Sequence, residues 1–428
     1  MFKTLIQKYL EYLVKKYLRK HKPKLVVVTG SVGKTSAKLA IGTVLGEYYR
    51  VRTQSGNHNT HLSAPVAILG IEFPDNVHSV AAWWNVIRAA HGRINGPSDA
   101  DVIVQELGSD QPGDIPHFGT YLHPDIAVIT AVSDEHMEFF KTIDAVAREE
   151  LSVAGFSGLT IVNRDDVDDK YASYATTSNI DTYGLAAPAE YQIILEPASP
   201  LDARIGKLIA PEWEQVPITL QLVGPQSVKS AVAAAAVAAK LGLTSQQVAV
   251  GLSKLTPVPG RMQILRGLKD SVLIDDTYNS SPLAVKAALD TLYEIDAPQH
   301  IAILGTMNEL GELSAQAHAQ VGSLCDPQKL DWVVTIGDHA KQFIAPAAMK
   351  KGCQVRSFMN PYDAGSFVHS VLAEHAAVLA KGSQNGVFAE EALKILLHAT
   401  EEESYLVRQS PYWLDVKSQQ FERPVAED

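Results

Sequence analysis

The residues with most chemistry to offer lie in one stretch, Leu25-Val26-Val27-Val28-Thr29-Gly30-Ser31-Val32-Gly33-Lys34-Thr35-Ser36. A short valine-rich run reads as a buried strand. It stops at a loop bracketed by glycines and opens into Ala37-Lys38-Leu39-Ala40-Ile41, which has helical composition. Strand, glycine-rich turn, Lys-Thr and helix together make a cradle for phosphate. Gly30 and Gly33 let backbone N–H groups turn inward, the helix start adds a positive dipole end, and Lys34 can reach the terminal phosphates. Thr35 offers its hydroxyl to Mg²⁺. The loop Gly30, Ser31, Val32, Gly33, Lys34, Thr35 and Ser36 is therefore expected to bind ATP. Such loops usually hold about four residues between their glycines, and this one holds two. The competing reading is an ordinary strand-to-helix turn.

Metal and phosphate partners of such a loop belong at the carboxyl ends of neighbouring strands. Glu106 ends the run Val102-Ile103-Val104-Gln105-Glu106-Leu107-Gly108 and is placed to hold Mg²⁺. His136 follows the next strand candidate, in Thr130-Ala131-Val132-Ser133-Asp134-Glu135-His136. Taken alone, a strand-end carboxylate can simply be solvated, and a lone histidine is more often a surface or core residue than a ligand.

Stepping strands and helices must position these groups. Strand candidates Leu25–Val28, Val102–Leu107, Ala127–Thr130 and Leu159–Asn163 alternate with helical stretches, which predicts a parallel sheet covered by helices. Residues 187–223 are richer in proline and read as β-rich or irregular, and an alanine-dense helix runs from Val228 to about Leu241. Thr256-Pro257-Val258-Pro259-Gly260 stops regular structure. A second alternating series follows, with strands expected at Ser271–Ile274, Ile301–Leu304, Trp332–Ile336 and Ala377–Leu379. The expected organisation is a helix over 1–24, an ATP-binding body over 25–260 and a Rossmann-like body over 261–428. The fold class is α/β.

A chain of 428 residues exceeds one ordinary core. Its formal charge of −11 argues against general nucleic-acid binding. Two cysteines, Cys325 and Cys353, cannot build a disulfide framework or a four-cysteine zinc ribbon. Neither a signal peptide nor a bilayer-spanning run is visible, so a cytoplasmic location is the default. The first segment departs from the average. Phe2, Leu5, Ile6, Tyr9, Leu10, Leu13, Val14, Tyr17 and Leu18 form a broad helical apolar stripe. Lys3, Lys8, Lys15, Lys16, Arg19, Lys20, Lys22 and Lys24 face a single anion, Glu11, so the segment carries +7 and the remainder −18. Docking of the stripe on the protein's own body is the first expectation, and peripheral contact with an anionic membrane the second. The polar tail 421–428 is expected to fray.

Several of these stretches, in order, resemble the Mur ligases, which extend the peptidoglycan stem peptide. Thr29–Ser36 is similar to their ATP loop, Gly56-Asn57-His58-Asn59 to their substrate-side loop, and Glu106-Leu107-Gly108 and His136 to their metal-binding residues. Pro259-Gly260-Arg261 resembles the hinge arginine. Asp275-Asp276-Thr277-Tyr278-Asn279-Ser280-Ser281-Pro282, Gly305-Thr306-Met307-Asn308-Glu309-Leu310-Gly311-Glu312 and Lys381-Gly382-Ser383 look most like the D-alanyl-D-alanine-adding branch. The resemblance implies an ADP-forming amide ligase acting through an acyl phosphate, with ATP and Mg²⁺. It implies catalytic roles for Lys34, His136 and Arg261, metal contacts from Thr35, Glu106 and His136, and nucleotide contacts from Asp276 and Asn279. Asn57, Asn59 and Lys381 would face the substrates, a muramyl peptide and a D-amino-acid dipeptide. The enzyme is expected to act as a monomer.

Three departures stand out. Where the family carries a carbamylated lysine, this chain has Glu150, a carboxylate already, which is expected to take over that role. Gly224-Pro225-Gln226-Ser227-Val228-Lys229-Ser230 replaces a Gly-x-His-Asn-x-x-Asn pattern, and Gln384 stands where arginine is frequent. Only about 24 residues precede the first strand, too few for the family's UDP-gripping domain. The alternatives are a related ligase on another acceptor, whether lipid-linked, poly-amino-acid or folyl-polyglutamate, and a non-catalytic ATP-binding scaffold.

Overall fold

The computed structural model describes residues 2–54, 56–176 and 179–421. Nine strands build the first sheet: β1 (Lys24–Thr29), β2 (Val51–Arg52), β3 (Val102–Glu106), β4 (Ile126–Ile129), β5 (Leu159–Asn163), β6 (Ile180–Gly184), β7 (Tyr191–Leu195), β8 (Arg204–Ala210) and β9 (Trp213–Leu220). Their order is β2-β3-β1-β4-β5-β6-β7-β8-β9. The ladder is parallel from β2 to β7, and β7-β8-β9 close it as an antiparallel meander. The proline-richer stretch 187–223 is thus β-rich.

Side chains alternate across the pleat, so β1 sends Val26 and Val28 into one core and Leu25 and Val27 into the other. On the first face the helices Lys34–Gly46 and Pro225–Lys240 pack together. Ala231 to Ala239 are all buried there, because methyl-sized side chains let the helix lie close to its neighbour. On the second face lies the N-terminal helix Phe2–His21. Its Ile6, Leu10, Leu13, Val14 and Tyr17 are buried against Val86, Ala90 and Ile94 of the helix Val80–Asn95 and against the sheet. The sequence stripe therefore splits. Most of it docks on the body, while Leu5 and Tyr9 stay exposed beside Tyr12, which lies outside the stripe.

The second sheet has six strands: β10 (Gln263–Arg266), β11 (Val272–Asp276), β12 (His300–Gly305), β13 (Trp332–Ile336), β14 (Val355–Phe358) and β15 (Ala377–Lys381). Their order is β10-β11-β15-β12-β13-β14, parallel except for the edge strand β10. Helices cover both faces, over two separate cores. Sequence reading missed β2, β6, β10 and β14; β2, β10 and β14 are edge strands with little alternation of their own, and β6 lies inside the first sheet. It also ended the last strand two residues early, at Leu379 rather than Lys381. A final helix, Pro411–Phe421, packs on this body. Residues 422–428 lie outside the described residues. No helix among those described is long and apolar enough to cross a membrane.

Candidate active site

Parallel register fixes the first half of the site. Val28 pairs with Glu106, so the metal-candidate carboxylate stands beside the start of the glycine loop. Gly30 takes φ of +121°, and a Cβ there would meet Thr130 Oγ1 at 2.4 Å and the Ala131 nitrogen at 2.8 Å. Only glycine lets the loop lie this close to the end of β4. Gly33, at φ +89°, precedes the helix Lys34–Gly46, whose start has no side-chain cap. An uncapped, positively polarised helix start opens on the cleft. Lys34 Nζ donates to the Gly30 carbonyl and lies 3.3 Å from Glu135. Burial lowers the Lys34 pKa, but Glu135, Glu150 and Glu106 outweigh it, so the amine is held above its usual range. Burial raises Glu135 in turn, against the pull of Lys34.

Thr35 Oγ1 donates to Glu106 Oε2 at 2.9 Å, and Asn59 Nδ2 donates to Glu106 Oε1 at 3.1 Å. Asn57 Oδ1 accepts from Thr35 at 3.3 Å. Lys38 Nζ sits 3.4 Å from Glu106 and donates to the Gly56 carbonyl at 2.7 Å. Its burial lowers its pKa despite Glu106. Hydroxyl, carboxylate and amide oxygens gathered at one point are the donor set Mg²⁺ takes, and the glycine cradle suits a polyphosphate. The residues fit both groups.

The second body completes the cleft. Arg261 Nη2 donates to Thr35 Oγ1 at 3.2 Å, and its guanidinium stacks over Tyr278 at 4.3 Å. Asp276 pairs with Lys381 in strand register, and the Lys381 ammonium, 2% exposed, donates to Asp276 Oδ2 at 2.6 Å and to the Asn279 carbonyl at 3.0 Å. His136, at φ +49°, has Asp110 at 3.5 Å, and Glu309 of the second body at 3.3 Å. The Met137 amide donates to the Glu309 carbonyl at 3.0 Å, tying the same loop across the junction. Between the bodies lies a cleft of about 660 Å³.

Two family models match this chain. The Mur ligase middle domain matches residues 28–238 and the Mur ligase glutamate ligase domain residues 260–384. The chain belongs to the Mur ligase family. A UDP-N-acetylmuramoyl-tripeptide–D-alanyl-D-alanine ligase of Bacillus subtilis is 28% identical, over 91% of this chain and 79% of its own length. The Haemophilus influenzae enzyme of the same name is 27% identical over 76% of this chain, which spans only 66% of that relative. The crystal structure of the MurF ligase from Thermotoga maritima in complex with ADP superposes with a TM-score of 0.76 at 22% identity, covering 93% of this chain and 84% of that one.

In this Mur ligase the cleft is lined by Ser31 to Ser36, Asn57, Asn59, Glu106, His136, Arg261, Asp276, Asn279 and Lys381. Glu150 stands elsewhere. It is buried behind the loop, where Oε2 accepts from the Gly30 amide at 2.8 Å and from Thr29 Oγ1, and Oε1 accepts from Ser109 Oγ at 2.7 Å. That position braces the loop from below and does not reach into the cleft. Lys381 likewise holds the 276–279 turn while lining the cleft. Of the departing residues, Gln226, Ser227 and Gln384 line it too.

Sequence reading gave no role to Lys38, Glu135, Tyr278 or Glu309. Lys38 had a signal, since four residues after Lys34 it returns to the same side of the helix. Glu135, Tyr278 and Glu309 sit inside quoted motifs. Their roles depend on contacts between distant segments, which the motifs do not record.

Proposed function

We propose that this Mur ligase joins D-alanyl-D-alanine, or a closely similar amine, to the carboxylate of a muramyl tripeptide, forming ADP by way of an acyl phosphate. One observation carries the reading: Arg261 of the second body reaches Thr35 of the phosphate loop, 3.2 Å away, across a cleft built from both halves. The names of the relatives support the choice of substrates. We place the boundary between the bodies at residue 260, with residues 25–260 cradling the phosphates and 261–428 closing over the nucleotide from the other side.

Bound ATP with Mg²⁺ supplies the phosphoryl group that activates the acceptor carboxylate. Gly30 to Ser36 would cradle the phosphates, and Lys34 would leave the Gly30 carbonyl and Glu135 to neutralise charge gathering on the transferred group. Thr35 and Glu106 would hold one Mg²⁺, and His136 would help to hold a second. Arg261 would add a second positive charge on the phosphate side, with its guanidinium resting over the Tyr278 ring. Asp276 and Asn279 would meet the nucleotide, fixed by Lys381 from behind. Asn57 and Asn59 would present the acceptor beside Glu106. Glu150 acts as a positioning residue. Closure of the two bodies excludes water from the activated carboxylate. The enzyme would work as a monomer in the cytoplasm, where ATP is available.

ADP release by purified protein tests the reading, with UDP-MurNAc-tripeptide and D-alanyl-D-alanine together and with each omitted. Release that needs both, with the joined product found by mass, is the expected result. Turnover only with another acceptor would keep the chemistry and replace the substrate. ATP binding without turnover on any pair would leave a scaffold.

A further inference from the structure

The N-terminal helix keeps a second, outward stripe after its first is buried. Leu5, Tyr9 and Tyr12 are 63%, 39% and 56% exposed and lie one above another on the helix surface. The Tyr9 and Tyr12 rings stack with centroids 6.2 Å apart. Tyr9 Oη hydrogen-bonds His91 Nε2 at 2.9 Å, which joins this stripe to the helix Val80–Asn95. Arg88 and Trp84 lie one and two turns back along the same side of that helix, and Trp84 is 68% exposed. The aromatic surface thus runs across two helices.

Its charge is one-sided. Lys8, Lys16 and Arg19 are exposed around the aromatic groups. The single acid of the two helices, Glu11, is buried and turned inward, bonded by Gln7 at 2.8 Å and by His117 at 2.8 Å. A face with aromatic and apolar side chains, flanked by Lys8, Lys16 and Arg19 and with no exposed carboxylate on either helix, on a chain that is otherwise acidic, matches an anionic lipid surface. Tyrosine and tryptophan sit well at the water–hydrocarbon boundary, and each lysine or arginine is drawn to the negative headgroups.

We propose that Leu5, Tyr9, Tyr12 and Trp84, with Lys8, Lys16 and Arg19, form a peripheral docking face for anionic bilayers. The buried stripe anchors the helix to the body, so docking brings the whole protein to the membrane without unfolding the helix. This reading stands whichever acceptor the enzyme uses.

Co-sedimentation of the full chain with vesicles tests it, comparing pure phosphatidylcholine with phosphatidylcholine containing about 30% phosphatidylglycerol. Binding only to the anionic vesicles is expected, weakening steeply as salt screens the charges. The triple variant Lys8→Glu/Lys16→Glu/Arg19→Glu should bind about tenfold or more weakly, with its far-UV circular dichroism unchanged. As a second probe, Trp84→Ala should remove a blue shift of tryptophan fluorescence seen when anionic vesicles are added to the wild type. Equal binding to both vesicle types, binding to neither, or a folded triple variant that binds like the wild type would overturn the proposal.

Discussion

Glu150 is a buried carboxylate with three hydrogen-bond donors converging on it, two of them from the first residues of the phosphate loop. Replacing it by alanine leaves the Ser109 hydroxyl and the Gly30 amide without that acceptor, and the Thr29 hydroxyl with only the Leu107 carbonyl at 3.4 Å. That change should destabilise the fold by about 2 kcal/mol or more and lower kcat/KM about tenfold to a hundredfold through displacement of the loop. Urea unfolding and an ATP titration of initial rates would read the two effects. Full activity in Glu150→Ala would end the idea that it positions the loop. The resemblance marked the position, but the direction of the side chain was not legible, because it depends on how the helix Ile143–Leu151 packs under β1. Asp275 makes a pH prediction. Oδ1 accepts from the Thr277 amide and hydroxyl, while Oδ2 is buried without a hydrogen-bond partner. Burial, with Glu390 and Asp276 nearby, raises its pKa to about 7 although the Thr277 bonds pull it down. The folded protein then holds this proton where the unfolded chain has released it, from its ordinary value of 3.8 up to about 7. Stability should fall as pH rises through that window. Asp275→Asn should flatten that part of a plot of unfolding free energy against pH.

The helix Pro411–Phe421 shows what an element adds beyond its own sequence. Lys417, fully buried, lies 2.5 Å from Glu391 and 3.0 Å from Glu390, and Arg408 makes two bonds to Glu390. Arg408 also donates to the Thr277 and Tyr278 carbonyls, so the end of the chain supports the turn that carries the Arg261 stack. Removing one partner from such a network leaves buried charge uncompensated. Lys417→Met should cost about 3 kcal/mol or more, measured as a lower urea midpoint at constant slope. No motif announced this helix, since its pattern is only weakly amphipathic and its partners lie far away in sequence. The interior strands were legible for the opposite reason. Strands such as Leu159–Asn163 and Trp332–Ile336 are largely apolar and buried on both faces, and their boundaries were read correctly.

At the scale of the molecule the two bodies meet through few polar contacts, chiefly Arg261 with Thr35 and the His136 loop with Glu309. These contacts sit where phosphate and metal are expected, so ligand binding and closure should be coupled. Arg261→Ala should lower kcat about a hundredfold while leaving the unliganded Tm nearly unchanged. The rise in Tm on adding a non-hydrolysable ATP analogue should shrink in the variant, because the nucleotide then stabilises one body instead of the closed pair. Differential scanning fluorimetry with and without the analogue separates these outcomes.

The order of chemistry along this chain was set by the sequence itself. Glycine spacing, Lys-Thr and strand-end carboxylates are local requirements, because backbone conformation and helix starts are decided by neighbouring residues. Two alternating series around a proline-glycine break gave two α/β bodies for the same reason. Which groups touch was decided only by tertiary structure. Lys34 and Glu135 lie about 100 residues apart, and their ion pair exists because β1 and β4 are adjacent in the sheet. Burial of one helical stripe and exposure of another on Phe2–His21 was settled the same way, by the body that the helix found to pack against.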